Sequence, residues 1–486
     1  MEKDGNNVTF SKITHYAVLF IFPIILSSLT MYLLKGDVIE TMHMGREFVF
    51  SYPKHPPLTF WLAGSILKAL PINIMVPVLS VLLYIIYFVI IQSSLKFSRY
   101  FLEDAKTVSM VGISVFVSLF VKHIDFTPDI IITLLSSLVI VSSYEAIKHD
   151  KWQNWIALLV FALLAFLTKY QSIVLLAGVA LSFLLTKEGY QRLFSKKAFV
   201  CSVIFLLLAS VYMLYIYTQH TAAVSYAAHR IGNFSFISPL FTPLASTFVP
   251  LVFLLFFFTK SGIVKSFTNF KNRLHTWDFT LVFLLSNTIG FLLVFMIFGY
   301  VFEHKVQTRF IFQNIIAFAV LSVYLIEPLI VSVSKKKLVL FQVFVVTFVM
   351  LAYTFDNIKD NRSILKKKLD VVALQVESSA NQPIEYVIQN GRELDVLYAS
   401  LKAKPFYLRN DEISYENLLK TIKGKNFVLV WENSVTPPKW VVKLQKDFPN
   451  LEIGEAISLH SQQKRLLGIK LKMHNISIRY AYLNNE

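Results

Sequence analysis

Long apolar runs recur along the first 355 residues of the chain, and they constrain its fold more than any other feature. Each approaches the roughly 20 residues that an α-helix needs to cross a bilayer. By hydropathy there are about eleven candidates, at 14–34, 72–92, 107–121, 130–145, 152–168, 170–186, 198–217, 238–258, 279–299, 310–330 and 338–355. We therefore predict an α-helical polytopic membrane protein with about eleven transmembrane helices.

The composition agrees with a membrane protein. Only 16% of the 486 residues are charged, against about 25% in soluble domains. The net charge of +17 would suggest nucleic acid in a soluble protein, but here it fits positive cytoplasmic loops and nearby anionic lipid. We expect membrane lipids as partners and no nucleic acid. With Cys201 as its one cysteine, the chain forms no internal disulfide and no cysteine metal site.

Two polar interruptions, KHIDFTPD at 122–129 and TKYQ at 168–171, split longer apolar stretches. We predict that a pair of helices meets at each, because backbone that leaves the helix at membrane depth needs protein or water around it. Lysine and arginine are more frequent in the loops that an inside N-terminus makes cytoplasmic. This orientation places both interruptions, the loop at 35–61 and the C-terminus on the outer side.

The pattern changes at about residue 356. Apolar runs shorten to strand length, and they alternate with helix-like stretches joined by Gly, Asn and Pro. We predict two domains: a transmembrane domain at 1–355, with its functional loop at 35–61, and a soluble extracytoplasmic α/β domain at 356–486.

The loop at 35–61 is a short island rich in ionisable groups. Asp37 lies at the end of the first span, where an ionised carboxylate is costly unless it is used or paired. On a helix, Glu40, His43 and Glu47 would share one face. Such a face suits a divalent metal ion, or equally the wet side of a helix that lies in the membrane interface.

A stiff proline-rich turn, YPKHPPL at 52–58, follows in the same loop. Each proline fixes its own φ and restricts the residue before it. The turn would hold Tyr52, Lys54 and His55 in fixed directions, which suits a phosphate or pyrophosphate group. It also serves as a rigid entry into a helix that begins at Leu58, and both roles are compatible.

Further polar groups fall on the same predicted side. Asp129 begins the fourth span, where a carboxylate also caps a helix N-terminus. Lys169 stands alone between two apolar helices; we expect it to extend towards the interface or to bind a lipid phosphate. The other candidates on this side are Tyr170, His229, Arg230 and Arg309.

An acid just after the first span (Asp37), followed eighteen residues later by the histidine of a Tyr-x-x-His-Pro-Pro-Leu turn (His55), resembles the polytopic C-type glycosyltransferases. The similarity is to the protein mannosyltransferase and lipid A aminoarabinose or galacturonic acid transferase group. Thr-Pro-Asp at 127–129 and Thr-Lys-Tyr at 168–170 fall where that group carries short signatures. The chain departs from the family's usual Asp-Glu at Val38, and Lys54 replaces an acid that helps some relatives bind metal. No cofactor is therefore certain, and a divalent metal ion is the possible one.

The resemblance implies an inverting transferase of the cytoplasmic membrane. It would move a hexosyl or pentosyl group from a polyprenyl-phosphate donor to a lipid such as lipid A, a glycan or a protein on the outer face. The reaction needs a base on the acceptor hydroxyl, for which the candidates are Asp37, Glu40 and Asp129. It also needs groups on the donor phosphate, for which the candidates are Tyr52, Lys54, His55, Lys169, Tyr170, His229, Arg230 and Arg309.

Two other functions stay open. Charges inside a membrane also mark transport pathways, so a transporter or flippase for lipid-linked sugars is one alternative, although the chain shows no internal repeat of the kind that many transporters have. A polymerase or ligase for surface polysaccharide is the other.

Overall fold

The structure is a computed structural model in which part of the chain is described. The described residues are 41, 44–45, 48–52, 55–70, 72–122, 126–219, 244–257, 259–301, 312–359, 372, 374–379, 383–389, 403–407, 412–432, 436–460, 465–466, 469–470 and 475–483. The predicted first span at 14–34 lies outside them. The chain divides into two compact units. The first holds Met1–Ile24, Glu47–Ala69 and Asn73–Tyr353, and the second holds Ile25–Arg46, Leu70–Ile72 and the chain from Thr354.

The apolar unit is helical. We number its described helices in chain order. They are α1 Leu58–Ala69, α2 Ile72–Ser98, α3 Ala105–Lys122, α4 Pro128–His149, α5 Trp152–Phe166, α6 Ser172–Leu185, α7 Lys187–Leu193, α8 Lys196–Gln219, α9 Leu244–Phe256, α10 Lys260–Thr276, α11 Phe279–Leu285, α12 Phe291–Val301, α13 Ile315–Ser332 and α14 Lys335–Lys359.

The predicted polytopic membrane fold is confirmed. Over the residues that the structure describes, each predicted span from residue 72 onwards is largely helical. Five helical segments among the described residues are long and apolar enough to cross a membrane; they are Val81–Ser98, Pro128–His149, Lys196–Thr218, Phe279–Val301 and Phe312–Ser332. The total number of transmembrane helices stays a prediction.

Helices break at both polar interruptions, as the sequence predicts. α3 ends at Lys122, and α4 begins at Pro128, where a missing backbone N–H costs nothing. At the second interruption the backbone N–H of Thr168 donates to Ala165 O at 3.1 Å. This hydrogen bond spans three residues instead of the four of an α-helix, and it ends α5 before α6 starts at Ser172.

Two helices were not predicted. α7 follows α6 after a bend of 106°. α10 occupies a basic segment assigned to a loop, which carries Lys260, Lys265, Lys271 and Arg273. Its apolar positions recur with helical spacing but are too few to register as a span.

The predicted helix at 279–299 contains a π turn, Ser286–Gly290, between α11 and α12. The Nδ2 of Asn314 donates to the backbone oxygen of Asn287 at 2.9 Å, which ties this turn to the start of α13. α6 packs against the same region, and a Cβ added at Gly178 would lie only 3.2 Å from the Cβ of Phe291. Close packing of the two helices therefore depends on the small residue at position 178.

Asp150 joins three helices where α4 ends. Its backbone is left-handed, with φ of 45°. Its carboxylate accepts hydrogen bonds from Trp155 Nε1 at 2.9 Å, Lys197 Nζ at 3.0 Å and Arg192 Nη1 at 3.3 Å. Burial alone raises the pKa of Asp150, but the hydrogen bonds from Lys197 and Trp155 and the charges of Lys197 and Arg192 outweigh burial and hold the pKa below its usual value.

Replacing Asp150 by alanine is expected to lower the free energy of unfolding by about 3 kcal/mol. The variant loses several charge-assisted hydrogen bonds, each worth about 1.5–3 kcal/mol, whereas the Cβ that strains the left-handed backbone is present in both proteins. Because the folded-state pKa is lowered, the side-chain contribution is present above about pH 4 and is lost as the pH falls through the folded-state value.

Thermal unfolding of the purified protein in detergent measures this effect at neutral pH and again at pH 3. Asp150→Gly is the control, because it removes the same side chain without the backbone strain. The explanation is wrong if the alanine variant is as stable as the wild type at neutral pH.

The C-terminal unit contains both strands and helices, which confirms its predicted α/β character. Its elements are β1 Tyr386–Gln389, β2 Lys404–Tyr407, α15 Glu412–Ile422, β3 Phe427–Glu432, α16 Lys439–Asp447, β4 Leu451–Ile453, β5 Ile457–His460, β6 Arg465–Leu466, β7 Ile469–Lys470 and β8 Asn475–Leu483. A six-stranded sheet has the order β2-β1-β3-β8-β4, with β5 also paired to β8. β1 is parallel to β2 and β3, and β8 is antiparallel to its neighbours.

The helices α15 and α16 contribute to one buried cluster with the central strands. Leu418 of α15 and Val441 of α16 join Leu429 of β3 in it. The hydroxyl of Tyr415 donates to Asp447 Oδ2 at 2.5 Å and links the two helices. Burial and this hydrogen bond raise the pKa of Tyr415. The extracytoplasmic position of the unit stays a prediction.

Candidate active site

A buried ion pair brings the two polar interruptions together. The ammonium of Lys169, between α5 and α6, donates to Oδ1 of Asp129 in the first turn of α4. Lys169 is only 3% exposed, and the side chain of Asp129 is 15% exposed. These two groups lie 40 residues apart in the sequence, so the contact is made by the fold and not by local structure.

The backbone on both sides of the pair is fixed by local hydrogen bonds. The N–H of Lys169 donates to Ala165 O at 3.0 Å, and its carbonyl accepts from the N–H of Ser172 at 3.0 Å. On the other side, Thr133 Oγ1 donates to the carbonyl of Asp129 at 2.8 Å. The helix dipole also favours a carboxylate in the first turn of α4.

The structure corrects two expectations about this pair. Lys169 does not extend to the interface, because Asp129 compensates its charge inside the protein; an ammonium is buried only when it is paired and hydrogen-bonded. Asp129 is not the cap of α4 either. The cap position is Thr127, which makes no side-chain capping hydrogen bond, and the carboxylate of Asp129 accepts from Lys169 instead.

The proline-rich turn of the first loop meets the same region. The N–H of Leu58, the first residue of α1, donates to the carbonyl of Leu167 at 3.0 Å. The rings of Tyr52 and His55 pack on Phe60 with centroid distances of 4.4 Å and 6.3 Å. The fold therefore joins the loop that holds Tyr52 and His55 to the segment that holds Lys169.

Aromatic residues of α8, which the sequence analysis missed, hold the start of this loop. The hydroxyl of Tyr212 donates to Phe50 O at 3.0 Å, and the ring of Tyr215 lies 5.9 Å from that of Phe50. The hydroxyls of Tyr170 and Ser51 are buried and have no hydrogen-bond partner among the described residues. The sequence feature that could have pointed to these residues is a pair of tyrosines, three residues apart, in an otherwise apolar span.

The structure therefore brings together Tyr52, His55, Asp129, Lys169 and Tyr170. The other sequence candidates lie outside the described residues: Asp37, Glu40, Lys54, His229, Arg230 and Arg309. Within the described part of the chain, no group of three His, Cys, Asp or Glu side chains is placed to hold a metal ion. Metal dependence stays a prediction.

The geometry limits the chemistry that each partner of the pair can perform. The Oδ1 of Asp129 is occupied by the ammonium of Lys169. Lys169 brings positive charge to the site, but part of its charge is already compensated. The pair is better suited to orienting a ligand and stabilising its charge than to accepting a proton.

Comparison with known proteins supports the class that the first loop indicated. Residues 54–215 match the model of the dolichyl-phosphate-mannose-protein mannosyltransferase family. This segment contains the proline-rich turn from Lys54 onwards, the ion pair and α8 up to Tyr215. No curated protein matches the chain.

The fold is similar to that of ArnT from Cupriavidus metallidurans. The undecaprenyl-phosphate-bound structure aligns with a TM-score of 0.63 at 12% sequence identity, covering 98% of each chain. The apo structure aligns with the same score and coverage at 13% identity. The resemblance to the group of protein mannosyltransferases and lipid A aminoarabinose transferases is thus confirmed.

Proposed function

We propose that the chain is a glycosyltransferase that takes its sugar from a polyprenyl-phosphate donor. The observation that carries the proposal is the shared fold over 98% of both chains with a protein solved with undecaprenyl phosphate. The family match at 54–215 supports it independently, because it includes the segment where the structure gathers the polar candidates.

The proposed reaction is a one-step displacement at the anomeric carbon. The acceptor hydroxyl loses its proton to a carboxylate as its oxygen bonds to that carbon, and the bond from the carbon to the phosphate oxygen breaks. Polyprenyl phosphate leaves with the bonding electrons, and the configuration inverts, as in single-displacement glycosidases. Asp37 is the proposed base, and Glu40 is the nearest alternative.

The described site residues would act on the donor. Lys169 is the proposed cation near the leaving phosphate, and Asp129 holds it in place. Tyr52 and His55 sit in a turn whose prolines and packing on Phe60 fix their positions. Lys54, His229, Arg230 and Arg309 are proposed as further phosphate ligands on the sequence alone.

We further propose that transfer takes place on the outer face of the cytoplasmic membrane. The distribution of lysine and arginine favours a cytoplasmic N-terminus, which places the first loop and the C-terminal domain outside. The acceptor is a lipid, a glycan or a protein, and the name of the ArnT relative makes lipid A the first to try, with a pentose or hexose as the sugar.

The test uses purified protein in detergent, a panel of radiolabelled polyprenyl-phosphate sugars and total membrane lipid as acceptor. We expect label to move from one of these donors to an acceptor. If every donor binds and no label moves, while vesicles that contain the protein carry the donor across the bilayer, the chain is a flippase and the proposal fails.

A further inference from the structure

Two fully buried hydroxyl groups next to the segment that holds Lys169 have no hydrogen-bond partner among the described residues. They are Thr59 Oγ1 in the first turn of α1 and Ser172 Oγ at the start of α6, and both residues have 0% exposure. Thr59 follows Leu58, whose N–H donates to Leu167 O, and the N–H of Ser172 donates to Lys169 O. Both hydroxyls are thus held within a few residues of the ion pair.

Several other buried hydroxyls of the helical unit are satisfied locally. Thr133, Thr168 and Ser182 donate to the carbonyl three or four residues earlier, at 2.6–2.8 Å. Thr59 and Ser172 stand at helix starts, where a full preceding turn of helix does not exist. Leaving such a group unpaired costs about 1–3 kcal/mol, so a ligand that accepts hydrogen bonds would recover that free energy.

The surroundings favour an anion. Three helices, α1, α4 and α6, begin in this region, at Leu58, Pro128 and Ser172. The positive ends of their helix dipoles lie here and favour an anion, while the N–H groups of Leu58 and Ser172 already donate to Leu167 O and Lys169 O. The ammonium of Lys169 adds a full charge beside them.

We propose that Thr59 Oγ1 and Ser172 Oγ donate hydrogen bonds to the phosphate of the polyprenyl-phosphate donor, next to Lys169. This inference rests on the proposed function for the identity of the ligand. Phosphate oxygens accept only, so they match a set of two hydroxyls and an ammonium, and hydrogen bonds to charged oxygens are about twice as strong as neutral ones. Neither hydroxyl was a candidate from the sequence.

The test compares Thr59→Val, Ser172→Ala and the double variant with the wild type. Both substitutions remove the hydroxyl with little change in shape. Binding of undecaprenyl phosphate to the full-length protein in detergent is expected to weaken about tenfold in each single variant. Binding of the phosphate-free polyprenol is expected to stay unchanged. The melting temperature should stay equal or rise, because an unpaired buried hydroxyl has been removed.

Ser136→Ala is the matched control. Ser136 is also fully buried, with its hydroxyl unpaired within the described part of the chain, but it lies two turns further along α4 from Asp129. Its substitution should leave undecaprenyl phosphate binding unchanged. If it weakens binding as much as the other two, the effect is not specific to the proposed phosphate site.

Three results would overturn the inference. Undecaprenyl phosphate affinity could be the same in the double variant as in the wild type. Polyprenol binding and stability could fall together with undecaprenyl phosphate affinity in the variants, which would show a structural role. Inorganic phosphate could compete at the concentrations at which the lipid binds, which would assign the site to free phosphate.

Failure of the inference is distinguishable from failure of the proposed function. Binding is measured without sugar transfer, so hydroxyl-dependent phosphate binding by a protein that transfers no sugar would support the site and reject the transferase. Normal transfer and normal donor binding in the double variant would reject the site alone.

Discussion

Replacing Lys169 by methionine is expected to lower the free energy of unfolding by about 3–5 kcal/mol and to reduce sugar transfer at least a hundredfold. Methionine fills a similar volume but leaves the carboxylate of Asp129 without its cation, and breaking one side of a buried pair has a cost of this size. Loss of positive charge near a leaving phosphate typically lowers the rate by about 10²–10³. Melting temperature in detergent and transfer per folded molecule measure the two effects separately.

The double variant Asp129→Leu/Lys169→Met separates stability from chemistry. Replacing both charges by apolar groups commonly restores the stability lost in the single variant, so we expect the melting temperature to recover. Transfer should remain low, because the proposed phosphate contact is still missing. A double variant that transfers at the wild-type rate would show that the pair only holds helices together.

Arg273→Met provides a control at another ion pair. Arg273 Nη2 lies 2.9 Å from Glu327 Oε2, and both side chains are partly buried, at 22% and 18% exposed. This pair joins α10 to α13, away from the candidate site in the sequence. Its loss should lower stability while transfer per folded molecule stays near the wild-type value.

The parts of the fold that the sequence predicted depend on one-dimensional signals. A bilayer leaves an apolar run few options besides a helix, so the run at 130–145 could be assigned without knowing its neighbours. The proline at 128 marks a helix start by its backbone chemistry. The polar residues at 168–171 mark a break because they interrupt an apolar run. For the same reason the strand at 427–432 could be anticipated from its β-branched and aromatic residues.

The parts that were missed depend on tertiary contacts. Sequence reasoning could name Asp129 and Lys169 but could not pair them, and a lone lysine in an apolar segment then suggests extension to the interface. The role of Gly178 requires knowing that Phe291 packs against it. The buried hydroxyls of Thr59 and Ser172 look ordinary in the sequence, since their importance comes from lacking a partner in the described structure.

Replacing Asp37 by asparagine is expected to lower transfer by about 10²–10⁴, the usual contribution of a positioned general base. Asparagine keeps the size and polarity of the side chain but does not accept the acceptor's proton. Undecaprenyl phosphate binding and melting temperature should stay close to the wild-type values, because the donor phosphate is assigned to other residues. The same transfer assay and the same binding assay measure both.

Glu40→Gln is the informative comparison, because Glu40 is the other carboxylate that the sequence offers close to Asp37. If Asp37 is the base, Glu40→Gln keeps most of the activity and Asp37→Glu keeps a fraction, since a carboxylate remains but is displaced by one methylene. If Glu40→Gln is the inactive variant, the base is Glu40 and the alignment with the family's first-loop acid is shifted. Wild-type transfer by Asp37→Asn at normal protein levels would remove Asp37 from the mechanism and leave Asp129, despite its pairing with Lys169, as the next carboxylate to test.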